Sequence, residues 1–159
     1  VANGLADPSR IVFRGGSAGG YAVLNGLVHS KVFAAGANYY GVAELIMLAE
    51  DTHDFESRYL DSLIGPYPEQ KELYVERSPL THADNLTSPL IIFQGSDDPI
   101  VPPSQSQAFR DACIKNGVKY KYFEFEGESH GFRKSQTITT CAIEELKFFG
   151  EVLGFVPAD

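Results

Sequence analysis

The stretch Arg10-Ile11-Val12-Phe13-Arg14-Gly15-Gly16-Ser17-Ala18-Gly19-Gly20-Tyr21 decides the fold. Its first five residues are β-branched or aromatic between two arginines. They are framed by the turn residues Asp7-Pro8-Ser9 and by Gly15-Gly16, and so read as a short strand. From Ala18 to Val28, apolar Tyr21, Leu24, Leu27 and Val28 recur at helical spacing despite glycines at 19, 20 and 26. Between strand and helix lies Gly15-x-Ser17-x-Gly19, the pattern of a sharp turn that lifts a serine hydroxyl clear of a sheet. Glycines suit so tight a turn because a side chain would meet neighbouring backbone. A plain Gly-rich turn or a phosphate cradle at a helix N-terminus would use similar residues. Neither a G-x-G-x-x-G register nor a P-loop lysine is present to favour the cradle.

Working outward, the alternation of strand and helix continues. Val32–Tyr40 reads as a buried strand, and Pro89–Gly95 is an almost continuous apolar run of the kind that parallel sheets bury. Pro103–Asn116 reads as a helix closed by Gly117, and Tyr120–Phe125 as a strand. Thr137–Leu153 reads as a closing helix with Ile138, Ile143, Leu146, Phe149 and Val152 on its buried side. Residues 42–75 fall outside the alternation, with helical pieces at Val42–Leu48 and Phe55–Leu63 and a third starting at Pro68. The expected fold is α/β: a mostly parallel sheet of about four strands flanked by helices, with a helical insert at about 42–75 over one end.

The chain has 159 residues, 43% hydrophobic and 21% charged, which suits one domain with a real core and excludes intrinsic disorder. A net charge of −8 argues against nucleic-acid and anionic-membrane partners. No apolar run approaches the roughly 18 residues of a membrane span, and Val1–Asp7 lacks the pattern of a signal peptide. Two cysteines, Cys113 and Cys141, are too few for a disulfide framework and lack metal-site spacing. A reducing, cytoplasmic setting is the expectation.

Two further places could carry chemistry. Asp97 and Asp98 follow the Pro89–Gly95 strand, where a carboxylate points into the crevice that α/β proteins use for ligands. One of the two adjacent acids could cap the next helix instead. His130 follows the last predicted strand and precedes the last helix. His29, His53 and His82 sit at a helix end, in a polar loop and in the run toward Pro89, where structural or solvated roles are expected. Ser17, the aspartate pair and His130 thus occur in the order Ser…Asp…His, each after a different parallel strand. That is the order of α/β-hydrolases, distinct from other serine hydrolases.

Arg10–Tyr21, Gly95–Ser106 (GSDDPIVPPSQS) and Phe125–Lys134 (FEGESHGFRK) together resemble the prolyl oligopeptidase family, with the acylaminoacyl-peptidase and dipeptidyl-aminopeptidase-like enzymes as the nearest branch. Tyr39-Tyr40-Gly41-Val42 and Phe55–Asp61 resemble the segment after the nucleophile helix. The resemblance implies a serine peptidase acting on short or N-terminally blocked peptides, without a metal or an organic cofactor. It matches Ser17 to the nucleophile, His130 to the general base and Asp98, three residues after Gly95, to the acid, with Asp97 as fallback. It makes the Ala18 N–H an oxyanion donor and places Val101, Phe55 and Tyr59 around the pocket for the residue before the scissile bond.

In the family the nucleophile follows the fifth strand of about eight, whereas here it follows the first. The resemblance therefore implies residues 1–159 to be the C-terminal part of a hydrolase domain, with the N-terminal half and any β-propeller absent and Val1 a cut end. The absent half would carry the second oxyanion donor and the strand that pairs with Ile11–Phe13. An unpaired apolar strand invites association, so self-association or pairing with the missing part is expected. A carboxylesterase, or a silent fragment awaiting a complementing chain, would share the same Ser, Asp and His.

Overall fold

A computed structural model describes residues 1–51 and 59–158. Four strands, β1 (Val12–Gly16), β2 (Ala35–Tyr39), β3 (Leu90–Gly95) and β4 (Tyr120–Phe125), form one parallel sheet in the order β1-β2-β3-β4. Spatial order therefore follows chain order. Helix α1 (Ala18–His29) crosses from β1 to β2, and a second crossover helix, Pro103–Lys115, from β3 to β4. Crossovers of one hand along a sheet wound in one direction put both helices on the same face. There Val23, Leu24 and Leu27 pack with Leu90, Ile92, Phe109 and Cys113. The last helix, Ser135–Leu153, covers the opposite face, where Ala35, Ala37, Ile91 and Phe93 meet Cys141, Phe148 and Phe149. Alternate residues of β3 thus serve the two faces, and the whole strand is buried.

Among the described residues, three short helices lie between β2 and β3: α2 (Leu45–Asp51), α3 (Tyr59–Leu63) and α4 (Lys71–Arg77), followed by a 3₁₀ run at Pro79–Asn85. The crossover helix at Pro103–Lys115 is then α5 and the closing helix α6. Val42, Leu45, Leu60 and Tyr74 of the insert bury against Val101 in the loop after β3, so the insert caps the carboxyl end of the sheet.

Several boundaries differ from expectation. β1 runs two residues later than the expected Arg10–Arg14 strand, because parallel pairing continues through Gly15↔Asn38 and Gly16↔Tyr39. β2 starts at Ala35, leaving Val32 57% exposed and Phe33 packed against Phe13 at 4.9 Å. The buried stripe of α6 is rotated from the predicted one: Thr137, Cys141, Phe148 and Phe149 are buried, whereas Ile138, Ile143 and Leu146 are about half exposed. This helix carries more apolar residues than one face can hold, and the side presenting the bulky Phe148–Phe149 pair meets the sheet.

Candidate active site

Each candidate residue comes from a loop at the carboxyl edge of a strand, where open α/β sheets bind their ligands. Ser17 links β1 to α1 with φ 55° and ψ −120°, a backbone rarely tolerated outside glycine. Its N–H donates to Tyr39 O at 3.0 Å and its C=O accepts from Tyr21 N at 2.9 Å, which holds the turn in place. A Cβ at residue 15 would stand 2.4 Å from Gly19 O, so the turn closes only with glycine there. Ala18 opens α1, and its N–H is one of the first-turn donors that a helix leaves unpaired.

After β3 the two aspartates separate. Asp97 is exposed and accepts from Ser96 Oγ, while Asp98 is buried. Asp98 Oδ1 accepts the Ile100 and Val101 N–H groups, each at 2.9 Å. Its Oδ2 meets His130 Nδ1 at 2.9 Å and Gln94 Nε2 at 3.4 Å. Gln94 is itself buried, donating to Gly95 O and Val101 O and accepting from Ser106 Oγ. A buried carboxylate requires such donors.

His130 sits in the loop between β4 and α6. That loop is anchored by buried Glu128, whose carboxylate accepts the Arg133 and Lys134 N–H groups at 3.0 Å each. Burial pushes the Glu128 carboxyl up. The Arg133 amide, the Thr137 hydroxyl, the Lys134 amide and the Lys134 charge together outweigh it and hold the group below its ordinary value. His130 Nε2 lies 2.8 Å from Ser17 Oγ. A carboxylate only accepts, so the proton belongs on Nδ1 facing Asp98, and Nε2 is left to accept from the Ser17 hydroxyl. Ser17, Asp98 and His130 are thus brought together. The His29 and His82 rings meet at 4.6 Å with their planes tilted by 57°, and His82 Nε2 lies 2.7 Å from Glu76 O, a structural pairing. Among the described residues no group of His, Cys, Asp or Glu could hold a metal ion.

Beside Ser17 opens a cavity of about 510 Å³. Val101, expected there, lines it, together with Ala18 and His130. Phe55 lies outside the described residues, and of Tyr59 only its backbone, at the start of α3, is described. The apolar wall is Leu45 and Leu48 from α2, Leu60 and Leu63 from α3, Ile64 just after it, and Ile100, while Tyr21 and Arg77 add a polar side. Sequence reasoning did not single these out. Their i, i+3, i+4 spacing on short helices is the signal that marks them as one wall.

The prolyl oligopeptidase family matches residues 1–155 of this chain. The chain is 48% identical to a solved Mycobacterium tuberculosis puromycin-hydrolyzing peptidase, with a TM-score of 0.96 over 99% of this chain and 24% of that one. It is 31% identical to dipeptidyl aminopeptidase BIII of Pseudoxanthomonas mexicana, over 97% of this chain and 23% of that protein. Esterase LipQ of Mycobacterium tuberculosis is 28% identical over 97% of this chain and 41% of its own length. The chain therefore spans about a quarter of the length of each of these two peptidases. Its four parallel strands flanked by helices are those of the α/β-hydrolase peptidases, and the chain belongs to the prolyl oligopeptidase family.

Proposed function

We propose that this chain carries the reacting groups of a serine peptidase that hydrolyses short or N-blocked peptides and aminoacyl amides with an apolar acyl residue. The observation that carries this reading is the line from Asp98 Oδ2 through His130 to Ser17 Oγ, with 2.9 Å and 2.8 Å links, at the mouth of an apolar cavity. Ser17 Oγ attacks the acyl carbon as His130 Nε2 takes its proton, and Asp98 holds the imidazole tautomer and steadies its charged form. The Ala18 N–H donates to the developing oxyanion. The protonated His130 then gives its proton to the leaving amine, and a water activated by the neutral imidazole releases the acyl group from Ser17.

The substrate class has two supports. Leucine, isoleucine and valine make most of the cavity wall, beside Tyr21 and Arg77, and the similar Mycobacterium tuberculosis peptidase hydrolyses puromycin. The likeness to esterase LipQ keeps a carboxylesterase as the second reading, because ester hydrolysis uses the same groups. β1 pairs only with β2 among the described strands, which supports association through its other edge, with a second copy or with a segment that completes the domain. A cytoplasmic setting accompanies this reading, in keeping with free, buried Cys113 and Cys141.

The test is labelling with a fluorophosphonate. Labelling of the wild type that Ser17→Ala abolishes is expected, and equal labelling of the two would sink the proposal. Dipeptide amides compared with short-chain nitrophenyl esters then separate peptidase from esterase. A silent fragment would label only once a complementing chain is added.

A further inference from the structure

Tyr40 has no part in the mechanism above, yet it occupies an unusual place. It follows the last residue of β2 with φ 39°, in the left-handed region where a bulky aromatic is an outlier. Such a conformation persists where the surroundings enforce it. Here the Tyr40 N–H donates to Phe93 O at 2.8 Å, extending the β2–β3 ladder one residue beyond the strand and tying down the strained backbone.

Three neighbours fix the ring. It lies against Gly16, where a Cβ would stand 3.1 Å from Tyr40 Cε2 and 3.2 Å from its hydroxyl. It meets Phe132 edge-on at 5.1 Å and 85°. It meets the His130 imidazole at 4.9 Å and 62°. A second cavity of about 480 Å³ lies on this side of the nucleophile turn, lined by Gly16, Tyr39, Tyr40 and Phe132, whereas His130 faces the first cavity. The Tyr40 ring touches both the imidazole and that second space.

We propose that Tyr40 is a positioning residue, whose aromatic ring fixes the plane of His130 between Asp98 and Ser17 and walls the imidazole from the second cavity. Asparagine or glycine would take the same backbone without strain, and neither carries a ring, so the strain follows from the need for one. The ring acts rather than the hydroxyl, which makes no hydrogen bond among the described residues. Burial and then the Asp98 charge push the phenol above its ordinary range, so it stays neutral. This inference rests on the reading of Ser17, His130 and Asp98 as the reacting groups.

The experiment compares the full chain with Tyr40→Phe, Tyr40→Leu and Tyr40→Asn by fluorophosphonate labelling rate and by the NMR signal of the His130 Nδ1–H. Tyr40→Leu and Tyr40→Asn are expected to label at least about tenfold more slowly, and Tyr40→Phe within about twofold of wild type. Tyr40→Asn, which accepts the positive φ, is expected to be as stable as wild type or more so. Slow labelling in a variant that has not lost stability is what a merely structural role would not give. Wild-type labelling in Tyr40→Asn, or a loss in Tyr40→Phe equal to that in Tyr40→Leu, overturns the proposal. Should the wild type not label even with a complementing chain, the Ser17 reading fails, and the Nδ1–H signal alone judges Tyr40. Its loss in Tyr40→Asn with retention in Tyr40→Phe supports the role, and any other pattern overturns it.

Discussion

Asp98 Oδ2 lies 2.9 Å from His130 Nδ1, and the side chain of Asp98 has no exposed surface. Water therefore cannot replace the carboxylate as acceptor. Asp98→Asn keeps the shape but offers Nδ1 an amide that can act as a donor, which turns the imidazole to the wrong tautomer and leaves Nε2 protonated toward Ser17. Turnover is expected to fall by about 10⁴-fold with little change in KM. Asp97→Asn, on an exposed side chain that meets Ser96, is expected to lie within about threefold of wild type by the same assay. Equal losses in the two variants would remove Asp98 from the proposed mechanism.

Gly15→Ala tests the turn that presents Ser17. The new Cβ would stand 2.4 Å from Gly19 O, backbone that belongs to the first turn of α1 and cannot swing away as a side chain would. Opening the turn to make room is expected to cost about 1–3 kcal/mol of stability. A serine displaced by about 1 Å is expected to label roughly 10²-fold more slowly. Unchanged labelling in a folded Gly15→Ala chain would show that the turn has slack.

How much of this was legible in the residues differs by level. The Gly15–Gly19 pattern and the strand–helix alternation identified the sheet and the edge on which Ser17, Asp98 and His130 meet, because those signals depend on local backbone needs. The choice of Asp98 over Asp97 came from resemblance; only the fold shows that one is buried and the other faces solvent. The α6 stripe was misread because Ile138, Ile143 and Leu146 satisfy the same periodicity as the residues that meet the sheet. The cavity wall was missed because helical spacing on α2 and α3 says which residues share a face, not what that face covers. Tyr40 stands in the sequence only as part of the Tyr39–Val42 resemblance: a tyrosine forced to positive φ has no signature of its own, since the force comes from Phe93, Gly16 and Phe132.

Glu128 gives a pH dependence with a definite sign. Its folded-state value lies below the ordinary 4.5, so it contributes stability that is fully present above that pH and is lost as pH falls through the folded value. Glu128→Gln cannot accept both the Arg133 and Lys134 amides with a single carbonyl oxygen without burying an unpaired NH₂, a loss of about 1–3 kcal/mol near neutral pH. Thermal melts of both chains are expected to converge as the pH is lowered below 4.5, because the wild type then loses the same interaction. A gap that stays constant with pH would mean that shape, not charge, anchors the His130 loop.

The two thiols point the other way. Burial pushes Cys113 and Cys141 up to about 12, so neither forms an appreciable thiolate near neutral pH in the folded chain. Ellman's reagent is expected to react with neither until denaturant exposes both. Because the folded values are raised, the stability these thiols contribute is complete below the unfolded value near 9.0 and lost as pH rises through the folded values. Rapid modification of the native chain would show that one of the two lies at a surface that opens readily.

The apolar cavity can be probed where the fold will tolerate it. Leu63 lines that cavity yet is 57% exposed, so replacing it leaves the core intact, unlike Leu45 or Val101, which are buried. Leu63→Glu would set a carboxylate beside the position proposed for the acyl side chain. An apolar group binding there would lose contact area and come up against a charge that must keep its water. KM for an apolar aminoacyl amide is expected to rise about tenfold, with kcat nearly unchanged, because the lost contact stabilises substrate and transition state alike. A small fluorophosphonate that reaches Ser17 without filling the cavity is expected to label both chains equally. A glycyl amide, whose acyl group has no side chain to lose contact, is expected to be unaffected, so the ratio of the two substrates reports on the cavity independently of enzyme concentration. If Leu63→Glu left that ratio unchanged while labelling was normal, the acyl group would have to bind elsewhere.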